Sequence, residues 1–156
     1  KGAIDADLQG LDQHDRGNLV SDTGITLDLN KGSLVNRAQG LIATPGTLLL
    51  RQLGVVDNSG GEISSDRAFT LATSALNNQG GTLSSAGALA VTSQGALNNQ
   101  GGRLASDAGL SLSSASLDNS QAGAISGKGA VEIRTGNLNN SRKASIGSDA
   151  GLTLVA

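Results

Sequence analysis

Cysteine, tryptophan, tyrosine and methionine are missing from this 156-residue chain, and phenylalanine and proline occur once each. Without cysteine there is no disulfide framework and no thiolate zinc site. Aromatic side chains cover roughly 150–250 Å² apiece in ordinary cores, so here burial falls to Leu, Ile, Val and Ala. No run of 18 apolar residues occurs, which leaves nothing to span a membrane as a helix. The opening Lys1-Gly2-Ala3-Ile4-Asp5 has no apolar core segment of the signal-peptide kind. A formal net charge of −2 gives no electrostatic footprint for nucleic acid, and the aromatic platforms that stack single-stranded bases are absent too.

What the chain does have is 23 glycines and a repeat. Leu76-Asn77-Asn78-Gln79-Gly80-Gly81 returns as Leu97-Asn98-Asn99-Gln100-Gly101-Gly102. Units begin at Leu11, Leu34, Val56, Leu76, Leu97, Leu117 and Leu138, with successive spacings of 23, 22, 20, 21, 20 and 21. Two residues into each unit stands Asn36, Asn58, Asn78, Asn99, Asn119 or Asn140; the first unit has Gln13 instead. A second aliphatic follows seven or eight residues after the start: Leu19, Leu41, Ile63, Leu83, Leu104, Ile125 and Ile146. An alternating pair closes each unit, for example Leu48/Leu50, Phe69/Leu71, Leu89/Val91 and Leu152/Leu154. Disorder would show neither this regularity nor so low a net charge.

Period-2 alternation in short bursts between Gly/Asn/Ser turns describes strands, not helices. A period of about 21 residues is too short for a propeller blade, and the leucine-rich-repeat pattern does not fit these spacings. The fold class expected is all-β: a parallel β-helix of about seven coils, each strand pairing with its equivalents above and below. One coil cannot bury enough to stand alone, so stability must come from stacking. The Asn column then has two physical readings. Asn tolerates the left-handed conformation of a sharp corner, and stacked amides can form a ladder from coil to coil. Asn36, Asn58, Asn78, Asn99, Asn119 and Asn140 are accordingly expected to be a structural ladder.

No catalytic, cofactor-binding or metal-binding set emerges. His14 is the single histidine, between Asp12 and Asp15, and no second histidine completes a usual ligand set. Asp5, Asp7, Asp12, Asp15, Asp22 and Asp28 crowd the segment before Asn30 without an aromatic platform for a sugar, and read as a solvated acidic coil. Gly123 to Ala130 echoes a phosphate loop but is one residue short, with Gly129 where Ser/Thr should hold magnesium. Lys128, Arg134, Arg142 and Lys143 make the far end more basic and read as a solvated face. Phe69 falls at an inward position. Asn139-Asn140-Ser141 is the one glycosylation sequon.

The units from Leu76 and Leu97, with the Asn two places in, the paired Gly80-Gly81 or Gly101-Gly102, then Leu83 or Leu104 and the closing pair, resemble the repeats of filamentous haemagglutinin-like exoproteins. The resemblance is close over 56–105 and good to Ala156; residues 1–55 match in spacing more than in letters. From Leu117 on the double glycine loosens, with Gly123 alone and Arg142-Lys143 in its place. The resemblance implies a right-handed parallel β-helix within a long bacterial protein exported by two-partner secretion through an outer-membrane transporter. It implies residence at the bacterial cell surface, and work as an adhesin or as the stick of a contact-dependent growth-inhibition toxin. The chain is then expected to be one β-helix segment of a longer array, with irregular coils over 1–55 and regular repeats over 56–156. It would act as a non-enzymatic stalk with no cofactor. The alternative is a binding module that takes a receptor or glycan on the irregular N-terminal coils.

Overall fold

The computed structural model describes residues 2–156. Twenty strands and no helix make up these residues, and every strand pairing is parallel. Each unit goes once around a three-faced solenoid. The first face carries the unit start, as in Val55–Asp57, Ala75–Asn77 and Ala96–Asn98. The second carries the following aliphatic, as in Glu62–Ser65, Thr82–Ser85 and Arg103–Ser106. The third carries the closing pair, as in Gly24–Asp28, Thr47–Arg51, Phe69–Thr73 and Leu89–Ser93. In the fifth and sixth coils, Leu110–Asp118 and Val131–Asn139 run unbroken from the third face into the next first face.

Alternation decides which side chains enter the core. Along Phe69–Thr73, Phe69, Leu71 and Thr73 are buried while Thr70 and Ala72 are exposed. Identical inward positions stack in register: Ile63, Leu83, Leu104 and Ile125 on the second face, and Val56, Leu76, Leu97 and Leu117 on the first. These side chains are almost wholly withdrawn from water, and a fully buried aliphatic contributes about 1.5–3 kcal/mol. Phe69 belongs to the same core. The last strand, Leu152–Val155, pairs on one side only, and Leu152 and Leu154 stay exposed.

Register corrects one sequence reading. The inward aliphatic of the second coil is Ile42, aligned with Leu19 and Ile63; Leu41 aligns with Asn18 and Glu62 and points outward. The corner after the unit start is seven residues long in some coils and eight in others, and in the second coil it is eight, which moves the inward position one residue on.

Backbone conformation explains the two lengths. The shorter corners contain a single residue of positive φ, and it is glycine: Gly60, Gly80 or Gly101. The longer ones contain two in succession, none glycine: Asp15-Arg16, Ala38-Gln39, Gln121-Ala122 and Arg142-Lys143. Arg142-Lys143 therefore does not replace the double glycine; Ala144 stands in the column of Gly102 and Gly123. The left-handed turn also falls on these residues and not on the Asn column, whose members are absent from the positive-φ set. That removes the corner-conformation reading of the asparagines.

Candidate functional site: a buried amide column

All six asparagines stand at the same corner, and Asn36, Asn58, Asn78, Asn99 and Asn119 are fully buried. Asn36 Nδ2 donates to Asn58 Oδ1 at 2.8 Å, Asn58 to Asn78 at 2.8 Å and Asn78 to Asn99 at 2.8 Å. Asn99 then donates to Asn119 at 2.7 Å and Asn119 to Asn140 at 2.8 Å. Gln13 heads the column, its Nε2 donating to Asn36 Oδ1 at 2.9 Å and to the Leu41 carbonyl at 2.8 Å. The longer side chain thus reaches the same acceptor from the first coil.

Each donating amide, from Gln13 to Asn119, also ties down backbone. Asn78 Nδ2 lies 3.2 Å from the Gly81 carbonyl of its own corner and 3.2 Å from the Arg103 carbonyl of the next coil. Asn58 does the same with Gly61 and Thr82. A buried amide without partners is costly, and among the described residues no buried side-chain nitrogen or oxygen lacks one. Within the column every amide-to-amide bond is donated toward the C-terminal end, so the column has a direction.

The glycine beside the column is there for close approach. A Cβ on Gly61 would collide with the Asn36 carbonyl oxygen, on Gly81 with that of Asn58, and on Gly102 with that of Asn78. The preceding glycine differs: Gly80 has φ +62° and open space around it.

A second polar column went unread in the sequence. Ser21, Thr44, Ser65, Ser85 and Ser106 are buried at the next corner, always two residues after the second-face aliphatic. Ser85 Oγ donates to the Arg67 carbonyl at 2.7 Å and accepts the Gly87 amide at 3.1 Å. Ser65 and Ser106 repeat this, reaching back to Gly46 and Gly87. Its signal was a Ser or Thr at constant offset, hidden by serine elsewhere in the chain; Gly127 interrupts it and Ser148 resumes it.

The charged residues singled out in the sequence form no comparable group. His14 is exposed, with Nδ1 2.6 Å from Asp12 Oδ1 and Nε2 3.5 Å from Asp15 Oδ2. The bond to Asp12, then the charges of Asp12 and Asp15, raise its pKa above the ordinary histidine value. Asp5 and Asp7 face solvent from Ile4–Asp7. Asp28 accepts from Gln52 Nε2 at 2.9 Å. Lys128 pairs with Asp107 at 2.9 Å and Arg134 with Glu132 at 2.6 Å. No set of three or more His, Cys, Asp or Glu residues is placed to hold a metal among the described residues. Asn139 is exposed, its Oδ1 accepting the Ser141 amide at 3.3 Å. A cleft of about 580 Å³ opens on the third corner between Lys31, Gln52 and Leu53 on one side and Ser74, Thr92 and Gln94 on the other.

Stacked parallel coils, in-register aliphatics and a continuous buried amide column define a β-solenoid repeat protein. The haemagglutinin repeat profile matches residues 2–101 and 96–156. The chain belongs to the haemagglutinin repeat family, a structural repeat of secreted, adhesin-like exoproteins. No curated protein and no solved structure matches it. Among the described residues no helix is long and apolar enough to cross a membrane.

Proposed function

We propose that this chain is a section of the shaft of a long bacterial surface exoprotein. It holds a distal part, adhesive or toxic, away from the cell that secretes it through an outer-membrane transporter. The observation that carries this reading is the unbroken amide column from Gln13 to Asn140. It repeats one structural solution in every coil and leaves chemistry to other parts of the protein. Reach then grows by about 4.8 Å for each added coil. The second reading, a module that binds a receptor or glycan, is favoured by the cleft beside Lys31 and Gln52, at the edge of the first two coils.

One experiment separates them. In the parent exoprotein, residues 76–96, one complete coil, are deleted, and separately the cleft is altered by Lys31→Gln with Gln94→Ala. A shaft shortens by one coil and keeps its target-cell binding in both variants. Loss of target binding in the cleft variant, with folding intact, would overturn the shaft reading in favour of the module.

A further inference from the structure

The solenoid is not equally joined on its three faces at every level. Between the second and third coils, the first face is continuous through Leu34↔Val56 and the second through Ile42↔Ile63. On the third face the strands separate into two sheets: Thr47–Arg51 closes a three-stranded sheet, and Phe69–Thr73 opens the next. In the coils that follow, the first inward amide of each third-face strand reaches the coil above. Phe69 donates to Ala88 at 3.1 Å, Leu89 to Gly109 at 3.0 Å, Leu110 to Ala130 at 2.9 Å and Val131 to Gly151 at 2.9 Å. No counterpart runs from Leu48 to Ala68 among the described residues.

Two sequence changes coincide with this break. The corner after the closing pair shortens from six residues, Leu50 to Val56, to five, Leu71 to Leu76, though a six-residue corner returns at Val91 to Leu97 with the third face paired on both sides of it. Its buried occupant changes as well, from Leu29 and Leu53 to Thr73 and Ser93. Thr73 Oγ1 instead satisfies the Gly54 and Ala75 carbonyls. The corners on either side of the face stay joined, Asp66 donating to Thr44 at 3.2 Å and Ser74 to Gly54 at 3.1 Å, so the break lies along the strands themselves, where the leucine-filled core gives way to a hydroxyl and the single aromatic residue, Phe69, follows Leu48. The cleft beside Gln52 and Ser74 is the mouth of this mismatch.

We propose that the boundary between the second and third coils is a bending seam. Its first and second faces act as the hinge, and the third face opens and closes. Local opening follows missing hydrogen bonds and low packing, and hinge motions concentrate at a few such positions. The seam rests on the shaft reading only for its use, a compliant joint in a stiff rod. Its physical existence is testable alone, so its failure would leave an unjointed shaft intact.

Residue-resolved hydrogen exchange and spin-label distances on the whole chain test it. In neighbouring strands inward amides point to the following coil and outward amides to the preceding one, as Asn78 to Asn98 and Thr82 to Gly61 do. The Thr70 and Ala72 amides should therefore exchange about tenfold or more faster than those of Phe69 and Leu71 in the same strand. The chain has no cysteine, so labels go where they are placed. The pair Thr26→Cys with Ser111→Cys, spanning the seam on the third face, should give a broader distance distribution than Asn18→Cys with Arg103→Cys, which crosses the same number of coils on the second. Equal protection along Phe69–Thr73, or equal widths on the two faces, would overturn the seam.

Discussion

Asn78 and Asn99 occupy the same corner of successive coils, both fully buried, with Asn78 Nδ2 donating to Asn99 Oδ1 at 2.8 Å. Replacing Asn78 by leucine would leave the Asn99 oxygen without this donor and the Arg103 carbonyl without its side-chain partner. An unsatisfied buried polar group costs about 1–3 kcal/mol. The Asn78→Leu variant should melt at lower temperature by a corresponding amount, while Gln79→Ala, at an exposed neighbour, should stay within about 0.5 kcal/mol. Thermal melts of the two variants beside the parent decide it; unchanged melting of Asn78→Leu removes the column from the stability account.

The two glycines of one corner should respond differently to the same change. Gly80 needs only its left-handed φ, which an alanine tolerates at a cost of about 1–2 kcal/mol. Gly81 needs the absence of a Cβ, because the Asn58 carbonyl fills that space. Gly81→Ala must push backbone apart and should cost roughly 3 kcal/mol. Denaturant midpoints of the two variants give the comparison, and equal losses would refute the close-approach reading.

The hydroxyl column makes a smaller claim. Ser85→Ala removes one bond to the Arg67 carbonyl and one from the Gly87 amide, for an expected loss of about 1 kcal/mol. Ser84→Ala, one residue away on the outward side of the strand, should change stability by less than about 0.5 kcal/mol. If both variants behave alike, alternation along Thr82–Ser85 does not govern these side chains.

How far the letters alone reach can be judged from particular residues. The solenoid was legible because Asn, paired Gly and the closing aliphatics recur together, so the period survives variation at any one position. Leu41 misled because Ile42 stands beside it and the corner length had changed by one; two adjacent aliphatics cannot announce which faces inward. Gln13 departed from the column by letter, yet its longer side chain completes it. Ser65, Ser85 and Ser106 were invisible because serine also fills outward positions. The break at Phe69 was hidden for a deeper reason: pairing between coils depends on how the interiors of two successive coils fit, and the inward residues Leu48 and Phe69 look equally suitable by letter. The spacing of 22 from Asn36 to Asn58, against 20 from Asn58 to Asn78, is shared between two corners, and the second face beside one of them pairs without interruption.

Acid should expose one further contact. Asp118 sits between Asn98 and Asn139 in register on the first face. Its carboxylate accepts the Ser120 amide at 3.0 Å and Gln100 Nε2 at 2.7 Å. Hydrogen bonding from the Ser120 side chain, then from the Ser120 backbone and Gln100, holds its pKa below the ordinary aspartate value against the opposing effect of burial. A depressed folded-state pKa contributes stability that is present above the unfolded value, about 3.9, and is lost as pH falls through the folded one. Asn fits the position, since both register neighbours are Asn, so Asp118→Asn should fold normally but lack this dependence. Denaturant midpoints taken from pH 7 downward should show the parent more stable near neutrality and the two proteins converging below about pH 4. A gap that stays constant with pH would mean that the charge on Asp118 does not contribute to holding this corner.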